Sequence, residues 1–288
     1  MAFTTKIKQY LNSILNPLNM QIDSCTAERL EAQRIGYLQQ KEYFEKKLFD
    51  IPMLGNYDPN LLLHAIQSYN HAFNHFLGES LDDVSYSFQN IYYTHPDAEV
   101  LYTMIRNLKP KRVIEIGSGN STKLIRQAVT DGSLSTRIIS IDPHPRVSIA
   151  KIADQIFDIT LEEFYFSHSN YFYSLEANDI LFIDSSHQIK TGNDVVFIYN
   201  MIIPQLPAGV IIHAHDIYLP FDYPLSIVRK KWNYTEHYLL HALLQNHNQY
   251  EILWPGYYLY KTWADFDDYF PFNKSHLPAL SFWIRKLA

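Results

Sequence analysis

The chain has 288 residues, a formal net charge of −6 and 47% hydrophobic residues. The negative charge argues against general nucleic-acid binding, which depends on a basic surface. The single cysteine, Cys25, excludes an intramolecular disulfide and a cluster of thiolate metal ligands. No apolar run is long enough to cross a bilayer. We therefore expect a globular protein of the cytoplasm, without a transmembrane segment or a nucleic-acid partner.

Residues 1–91 are predicted to form a helical N-terminal region. Residues 6–18 have amphipathic spacing, and no small-residue cleavage site follows them, so a packed helix is expected rather than a secretory signal. The alternative is a helix that lies on a membrane surface. Residues 26–49 predict a second amphipathic helix. These helices are expected to serve as a lid, as a contact in a homo-oligomer or as a packing appendage.

The most informative part of the chain is residues 113–122, Val-Ile-Glu-Ile-Gly-Ser-Gly-Asn-Ser-Thr, which follow a predicted helix with Asp97 in its first turn. A strand-like apolar run ends at a loop with two glycines, and a helical pattern begins behind the loop. Gly117 and Gly119 let the backbone approach a ligand closely, and Ser121 or the threonine after it can cap the helix. The pattern predicts a loop that cradles a ligand with an adenosine group.

Two departures from the dinucleotide-binding pattern narrow the choice of ligand. That pattern has three glycines, whereas Thr122 stands at the third glycine position and the acid Glu115 stands before the first. The segment resembles motif I of the class I S-adenosylmethionine (SAM)-dependent methyltransferases. The resemblance implies that SAM is the cofactor and that its site is shaped by the loop residues Glu115, Gly117, Ser118, Gly119 and Ser121.

Three further apolar runs end in a carboxylate. Residues 137–141 form a β-branched run that ends at Asp142, about 23 residues beyond Gly119. At about this distance an acid on the next parallel strand can accept both ribose hydroxyls. Two longer runs have the same form: residues 179–184, which end in Asp184, and residues 209–216, which end in Asp216. Such continuous runs predict parallel strands covered on both faces.

The remaining elements have weaker signals. A third strand is predicted between Phe157 and Ser167, and Asn170 behind it is expected to approach the adenine. Residues 193–205 predict a long helix, and residues 251–261 predict a β-hairpin. Methyltransferases of this class end their sheet with such an antiparallel pair.

A second motif joins two of the predicted strand ends. Phe182-Ile-Asp-Ser-Ser-His187 and His213-Ala-His-Asp-Ile217 resemble methyltransferase family 24 and the macrocin-type sugar O-methyltransferases, and the resemblance extends over residues 92–262. It implies an α/β fold with a Rossmann-like, seven-stranded methyltransferase sheet whose last strand is antiparallel. The SAM-dependent methyltransferase domain, with a C-terminal extension, is expected to occupy residues 92–288.

The same motif is similar to that of the cation-dependent O-methyltransferases, in which two strand-end carboxylates hold Mg²⁺ and a base follows three residues after the first. Asp184 and Asp216 stand at the carboxylate positions and His187 at the base position. The resemblance implies that His187 removes the acceptor proton and that Asp184 and Asp216 orient the acceptor or a divalent cation, Mg²⁺ or Mn²⁺. His215, at the open edge of its strand, is a further candidate metal ligand. Ile217 departs from the pattern, because those enzymes usually carry an amide ligand there.

Aromatic side chains follow the last of these strands, where this fold usually builds its acceptor pocket. They suit sugars, phenols or planar acceptors, or they simply cover the sheet. They are Tyr218, Phe221, Tyr223, Trp232, Tyr234 and Tyr238.

We therefore predict a SAM-dependent methyltransferase that O-methylates a small hydroxylated metabolite, a natural product or a sugar, with or without help from a divalent cation. One alternative is an oxidoreductase on a Rossmann-like fold, using nicotinamide or Fe(II) held by His215, Asp216 and a further histidine. The other is a non-catalytic SAM-binding protein whose N-terminal helices form the functional interface.

Overall fold

The computed structural model describes residues 2–80, 82–245 and 248–288. None of the helices in these ranges is both long and apolar enough to span a membrane. The chain divides into two units, residues 1–46 and 47–288.

The first unit is helical, as predicted. Asn12 joins the first helix to the segment that follows it, since its side chain donates to the carbonyl oxygen of Ile22 at 2.9 Å and accepts the N–H of Ile22 at 2.6 Å. The second helix is shorter than expected and ends before residue 41. The helices are α1 (Ala2–Leu15) and α2 (Thr26–Gln40), with 3₁₀ turns at Asn16–Leu18 and Tyr43–Glu45.

The second unit is built on one sheet, in which seven strands lie among the described residues. The strand order is β3-β2-β1-β4-β5-β7-β6, and β7 runs antiparallel to both of its neighbours while the other pairs are parallel. This arrangement confirms the predicted α/β class. The strands are β1 (Arg112–Ile116), β2 (Arg137–Ile141), β3 (Gln155–Phe157), β4 (Ile180–Ile183), β5 (Ile211–Ala214), β6 (Tyr250–Pro255) and β7 (Phe282–Lys286).

Helices surround this sheet and are joined by short 3₁₀ turns. The helices are α3 (Asn60–Ser68), α4 (Asn70–Phe73), α5 (Asp97–Leu108), α6 (Asn120–Asp131), α7 (Leu161–His168), α8 (Asn170–Tyr173), α9 (Asp194–Phe197), α10 (Leu225–Arg229), α11 (Glu236–Leu244) and α12 (Gly256–Thr262). The 3₁₀ turns are Pro52–Asn56, Asn74–Phe76, Ile203–Gln205 and Phe266–Tyr269.

Both faces of the sheet are covered, as the continuous apolar runs predict. In β1, Ile114 and Ile116 pack in the core on one face and Val113 packs in the core on the other, because successive side chains of a strand point to opposite faces. Helices α7, α9 and α11 contribute to the first core, and α3, α5 and α6 contribute to the second. The carboxyl ends of β1, β2, β4 and β5 therefore meet at one edge of a sheet that is closed above and below.

The prediction of a β-hairpin at residues 251–261 is wrong. Residues 256–262 form α12, and the antiparallel partner of β6 is β7, with Trp254 opposite Trp283. Gly256 explains the difference, because it donates its N–H to the carbonyl of Ser281 at 3.0 Å and a Cβ there would lie 2.7 Å from the same oxygen. At Pro255-Gly256 the chain thus passes close to the backbone at the start of β7 and then enters a helix. The antiparallel pair that ends the sheet is present, with a different second strand.

The third strand begins earlier than predicted and is only three residues long, and the region expected to contain it is mostly α7. Thr160 caps this helix by accepting the N–H of Glu163 at 3.3 Å, while the Glu163 side chain returns to the N–H of Thr160 at 3.1 Å. The sequence Thr-Leu-Glu-Glu is a capping box and could have located the helix start. The predicted helix at residues 193–205 is confirmed, with a wide π turn at Ile198–Ile202.

The segment of residues 47–91, which the sequence places in the N-terminal region, lies in the same unit as the sheet. Leu54 packs in the first core, and Leu63, Ile66 and Phe73 pack in the second. The boundary between the two units therefore does not coincide with the predicted start of the methyltransferase domain at residue 92, which stays a prediction.

The buried carboxylate of Asp179 joins the amino ends of β1 and β4. It accepts the backbone N–H groups of Lys111, Arg112 and Glu176 at 2.9–3.0 Å and the Nε–H of Arg112 at 2.9 Å. Asp179 is fully buried. Removal of the carboxylate would leave several of these donors without a partner away from water.

We expect Asp179→Ala to lower the free energy of unfolding by about 2–4 kcal/mol, because it breaks a buried ion pair and abandons backbone donors. Urea unfolding followed by circular dichroism measures the effect. Glu176→Ala is the matched control, since it removes an exposed partner of Lys111 and should leave the unfolding midpoint unchanged. Equal midpoints for the two variants would contradict the role assigned to Asp179.

Candidate active site

Glu115 braces the glycine loop from within the sheet. It lies in β1, is fully buried, and accepts hydrogen bonds from Ser121 Oγ and Thr122 Oγ1, both at 2.6 Å. Thr122 Oγ1 also accepts the N–H of Gly119 at 3.0 Å. Burial raises the pKa of Glu115 to about 8, against the effect of the two hydroxyl donors. The predicted loop residues Glu115 and Ser121 are therefore joined to each other beneath the loop.

The two glycines of the loop play different parts. Gly117 has a φ of +78°, and a Cβ there would lie 2.0 Å from the carbonyl oxygen of Asp184. Its N–H donates to the carbonyl of Ile141 at 3.1 Å. Gly119 has extended backbone and nothing within 4 Å of its Cβ position. Gly117 thus packs the loop between β2 and β4, whereas Gly119 leaves open space.

The loop is also tied to the end of β2. Ser118 donates its backbone N–H to Asp142 Oδ2 at 2.7 Å, and its hydroxyl lies 3.2 Å from the same oxygen. The other carboxylate oxygen accepts the N–H of His144 at 2.7 Å. These bonds fix the Asp142 carboxylate beside the glycine loop, and Oδ1 keeps a lone pair for a further donor.

A cavity of about 390 Å³ opens at this edge of the sheet. Ser118, Asp142 and Asp184 line it, together with residues 160–162. Its volume lies in the range of about 300–1,000 Å³ that is typical of small-molecule sites. The fixed carboxylate of Asp142 beside a loop with open space at Gly119 fits an adenosine cofactor whose ribose is held at Asp142.

Asn170 is not brought to this cavity. It begins α8 at the opposite edge of the sheet, where the neighbouring Tyr171 hydroxyl contacts Gln155 at the start of β3 at 2.9 Å. Ser174, at the end of α8, accepts from Arg112 at the start of β1 at 3.1 Å. The first turn of α7 lines the cavity where Asn170 was expected, and its capping box is the sequence signal that was missed.

The predicted catalytic residues lie together at the ends of β4 and β5. Asp184 follows β4 and Asp216 follows β5, and His187 Nε2 lies 3.3 Å from Asp184 Oδ1 and 3.6 Å from Asp216 Oδ2. His187 and Asp216 both have positive φ, +59° and +56°, a conformation that non-glycine residues adopt at an energetic cost. The backbone at both strand ends is thus bent to direct these side chains toward one another.

Sequence reasoning missed a third carboxylate in contact with His187. Glu236, at the start of α11, is fully buried, and its Oε2 lies 2.8 Å from His187 Nδ1. Its Oε1 accepts the hydroxyl of Tyr199 at 2.9 Å. Glu236 lies 49 residues beyond His187 in the chain and follows no motif, so only the fold reveals the pair.

These contacts set the charge of the cluster. Burial by itself would lower the pKa of His187, but the hydrogen bonds to Asp184 and Glu236 hold it well above its usual range. Burial likewise opposes ionisation of Asp184, yet His187 holds the pKa of that carboxyl below its usual range. The contacts with Asp184 and Glu236 thus favour the protonated form of the His187 ring.

His215 extends the cluster toward α5. Its Nδ1 lies 3.8 Å from both Asp184 Oδ1 and Asp216 Oδ1, and its Nε2 lies 3.7 Å from Asp97 Oδ2. Asp97 is anchored by the N–H groups of Leu280 and Ser281 at 2.8 and 2.9 Å. Although burial opposes it, the nearby carboxylates raise the pKa of His215 to about 9.

Two neighbouring residues belong to the core rather than to this cluster. His213 stacks on Phe182 with ring centroids 3.8 Å apart, and burial lowers its pKa well below the usual range. Ile217, at the position of the amide ligand in the cation-dependent enzymes, is buried in the core. Within the described parts of the chain, no three His, Cys, Asp or Glu side chains form a group that could hold a metal ion.

The aromatic residues after β5 divide into two groups. Tyr223 is buried and stacks on His237 at 3.7 Å, and the more exposed Tyr238 donates to Asp222 at 2.8 Å, so together they form an aromatic wall. Tyr234 instead lies 4.7 Å from the ring of His187. Trp232 is exposed. Of these four residues, only Tyr234 is in ring contact with the cluster.

The strand order, the glycine loop tied to a β2 aspartate and the acids at the ends of β4 and β5 are together the features expected of a class I SAM-dependent methyltransferase. Residues 114–217 match the sequence model of a family described as a methyltransferase domain, methyltransferase family 24. The match favours methyl transfer over the oxidoreductase alternatives. No protein with a curated description is significantly similar to this chain in sequence.

Solved structures with a similar fold include two methyltransferases. One is the methyltransferase PaMTH1 of Podospora anserina bound to S-adenosylhomocysteine (SAH), with 18% identity, a TM-score of 0.42, and coverage of 93% of this chain and 98% of that chain. The other is the O-methyltransferase TomG of Streptomyces achromogenes, involved in tomaymycin synthesis, in complex with SAM, with 13% identity, a TM-score of 0.43, and coverage of 78% and 89%. Similarity at this level does not extend their reactions to this chain.

The two loop glycines give a paired prediction. Gly117→Ala should lower both thermal stability and SAH affinity, because its Cβ would overlap the backbone of Asp184. Gly119→Ala should keep the stability of the wild type but weaken SAH binding at least about tenfold, about 1.4 kcal/mol, because the added methyl group enters open space that the cofactor needs.

Calorimetry with SAH and thermal unfolding measure the two effects. Gly55→Ala is the control, since its Cβ position is also open and lies outside the loop. Wild-type SAH affinity in Gly119→Ala would contradict the placement of the cofactor beside this glycine.

Proposed function

We propose that this methyltransferase transfers the methyl group of SAM to a hydroxyl oxygen of a small metabolite, natural product or sugar. The observation that carries the proposal is the position of His187, whose Nε2 points to Asp184 at the end of the cofactor cavity. A hydroxyl is a weak nucleophile until its proton is removed, so a base at this place suits an oxygen acceptor.

The cofactor loop and the base are close neighbours, because Asp184 both contacts Gly117 and lies 3.3 Å from His187. When bound, SAM supplies a methyl group on a sulfonium that needs no further activation. The methyl group would pass to the acceptor oxygen, with SAH as the neutral leaving group. In this scheme His187 takes the hydroxyl proton, Asp142 holds the ribose, and Asp184 and Asp216 orient the acceptor.

For His187 to act as a base it must first lose its proton, and a bound cation would favour that loss. A histidine that already carries a proton cannot accept another, and the carboxylates of Asp184 and Asp216 help to keep the proton on His187. We propose that a divalent cation, Mg²⁺ or Mn²⁺, binds between Asp184 and Asp216 together with the acceptor, whose oxygen atoms complete a site that the described side chains do not form by themselves. His215 lies beside the two carboxylates as a further candidate ligand. Such an ion would offset the charges that hold the proton and would lower the pKa of an acceptor hydroxyl.

The experiment that tests the function uses the purified chain, methyl-labelled SAM and a panel of hydroxylated acceptors, including catechol, 3,4-dihydroxybenzoate and simple sugars, with matched amines as controls. We expect transfer to hydroxyls only. SAH should bind with measurable heat, and Asp142→Ala should weaken it about ten- to a hundredfold, because a bidentate ribose contact is worth about 1.5–3 kcal/mol. Transfer to the amines, or wild-type SAH affinity in Asp142→Ala, would count against the proposal.

The cation is tested separately. Treatment with a chelator should abolish transfer, and Mg²⁺ or Mn²⁺ should restore it, whereas SAH affinity should be unaffected because Asp142 and the glycine loop hold the cofactor. Asp216→Asn should raise the cation concentration needed for half-maximal rate. Full activity in the chelated protein would reject a catalytic cation and leave Asp184 and Asp216 as hydrogen-bonding groups.

The role of His187 predicts a pH dependence. A base with a raised pKa is neutral only at high pH, so at a low cation concentration the rate should rise with pH above neutrality, and a saturating cation concentration should move that rise to lower pH. His187→Ala should lower kcat about 10²–10⁴-fold with SAH affinity unchanged and should flatten the acidic limb of the profile. A joint loss of thermal stability and SAH affinity, with an unchanged pH profile, would show a structural histidine.

The setting of the enzyme is predicted from sequence alone. Its composition favours the cytoplasm, and we propose a small-molecule acceptor rather than a nucleic acid because the net charge is −6. The N-terminal helices are proposed as a lid or as a contact in a homo-oligomer.

A further inference from the structure

We propose that Glu236 is a positioning residue that fixes the ring orientation and the tautomer of His187, with Tyr199 selecting which oxygen of Glu236 faces the histidine. The inference rests on the proposed role of His187 as the base. It concerns a carboxylate that lies outside every motif of the sequence.

The geometry supports a fixed tautomer. The two nitrogens of an imidazole lie on different sides of the ring, so the contact at Nδ1 determines where Nε2 points and which nitrogen carries the proton in the neutral ring. Here Nδ1 faces Glu236 Oε2 at 2.8 Å, and Nε2 faces Asp184 Oδ1 at 3.3 Å. Both nitrogens face carboxylates, which accept and do not donate, but the contact at Nδ1 is the shorter one. Nδ1 therefore holds its proton more firmly, and Nε2 is the atom that can release and take a proton.

The buried carboxylate of Glu236 has a hydrogen-bonding partner for each of its oxygens. A buried carboxylate is costly unless charged or polar partners meet it. In the parts of the chain that the structure describes, no Lys or Arg forms an ion pair with Glu236, and its two oxygens are met by His187 and Tyr199. The fold therefore keeps a buried acid, without a Lys or Arg partner among the described residues, in direct contact with the proposed base.

Backbone contacts hold the pair in register. The carbonyl of His187 accepts the N–H groups of Thr235 and Glu236 at 2.8 and 3.1 Å, and the N–H of Ile189 donates to Thr235 Oγ1 at 2.7 Å. The loop after β4 is thus joined to the start of α11 by main chain as well as by side chain. These bonds hold the backbone of His187, and the contact between Nδ1 and Glu236 fixes the orientation of the ring.

The same helix also builds the aromatic wall. His237 stacks on Tyr223, and Tyr238 donates to Asp222 on the segment after β5. Glu236, His237 and Tyr238 are consecutive in the chain. The position of α11 therefore determines both where the carboxylate meets His187 and where the aromatic wall lies. A shift of α11 would disturb both together.

The decisive variant is Glu236→Gln, which keeps the size of the side chain. Because the Tyr199 hydroxyl donates to Oε1, it should hold the amide oxygen of the new Gln, leaving the NH₂ group to face His187 Nδ1. That contact favours the wrong tautomer. We expect kcat on the fastest acceptor of the hydroxylated panel to fall about 10- to 100-fold, with the acceptor KM and SAH affinity within about threefold of wild type.

Tyr199→Phe in the Glu236→Gln background should recover part of the lost kcat, because the amide can then turn its oxygen toward His187. In the wild-type background the same change should lower kcat modestly. A purely structural role predicts no such recovery, since two deletions of buried hydrogen bonds would simply add.

A second readout needs no acceptor. In protein with ¹⁵N-labelled histidine, the Nδ1–H proton of His187 should give a downfield resonance that exchanges slowly, and His187→Gln identifies it. The signal should be lost in Glu236→Gln and return with the added Tyr199→Phe. This arm remains decisive if no hydroxylated acceptor is found, which would count against the proposed function alone.

Glu99→Gln is the matched control. It alters another buried carboxylate that lies against a histidine ring nitrogen, His95 Nδ1 at 2.5 Å, on α5. It should change thermal stability about as much as Glu236→Gln but leave kcat and the His187 resonance intact. Wild-type kcat and an unchanged resonance in Glu236→Gln, or no recovery on adding Tyr199→Phe, would overturn the proposal.

Discussion

The close approach of Gly117 to the carbonyl oxygen of Asp184 is the constraint on which the site depends. Only glycine allows the β1 loop to lie against the end of β4 at this distance. The contact brings the glycine loop beside the acid that faces His187, so one backbone contact sets the spacing between the loop and the cluster around His187. Glu115 supports it from below by holding the start of α6 to β1.

Three carboxylates lie close together in the site, and their mutual repulsion opposes folding. Asp184, Asp216 and Glu236 surround His187 in a region closed to water on most sides. Like charges at this separation repel, and only the histidines offset them among the described contacts of the cluster. An arrangement that costs stability in this way is common at sites kept for chemistry. The stable core on both faces of the sheet is what allows it.

The sheet and the loop were predictable because their signals are local and periodic. Apolar runs that end in an acid identify the strands that carry Asp142, Asp184 and Asp216, and a glycine pair after a strand identifies the cofactor loop. The pairing of His187 with Glu236 has no local signal, since it depends on how α11 packs. The hairpin failed because Pro255-Gly256 is compatible with a turn, and only the nearby β7 backbone makes it a helix start.

The wide turn at Ile198–Ile202 has a consequence for how this helix can vary. Tyr199 lies within it, and such turns accommodate one additional residue in an otherwise regular helix. Each residue of an α-helix advances the side-chain direction by about 100°. Deletion of a single residue before Tyr199 would therefore swing its hydroxyl away from Glu236 while the apolar face of the helix could still realign with the core, so the length of this turn acts as an angular setting for the carboxylate.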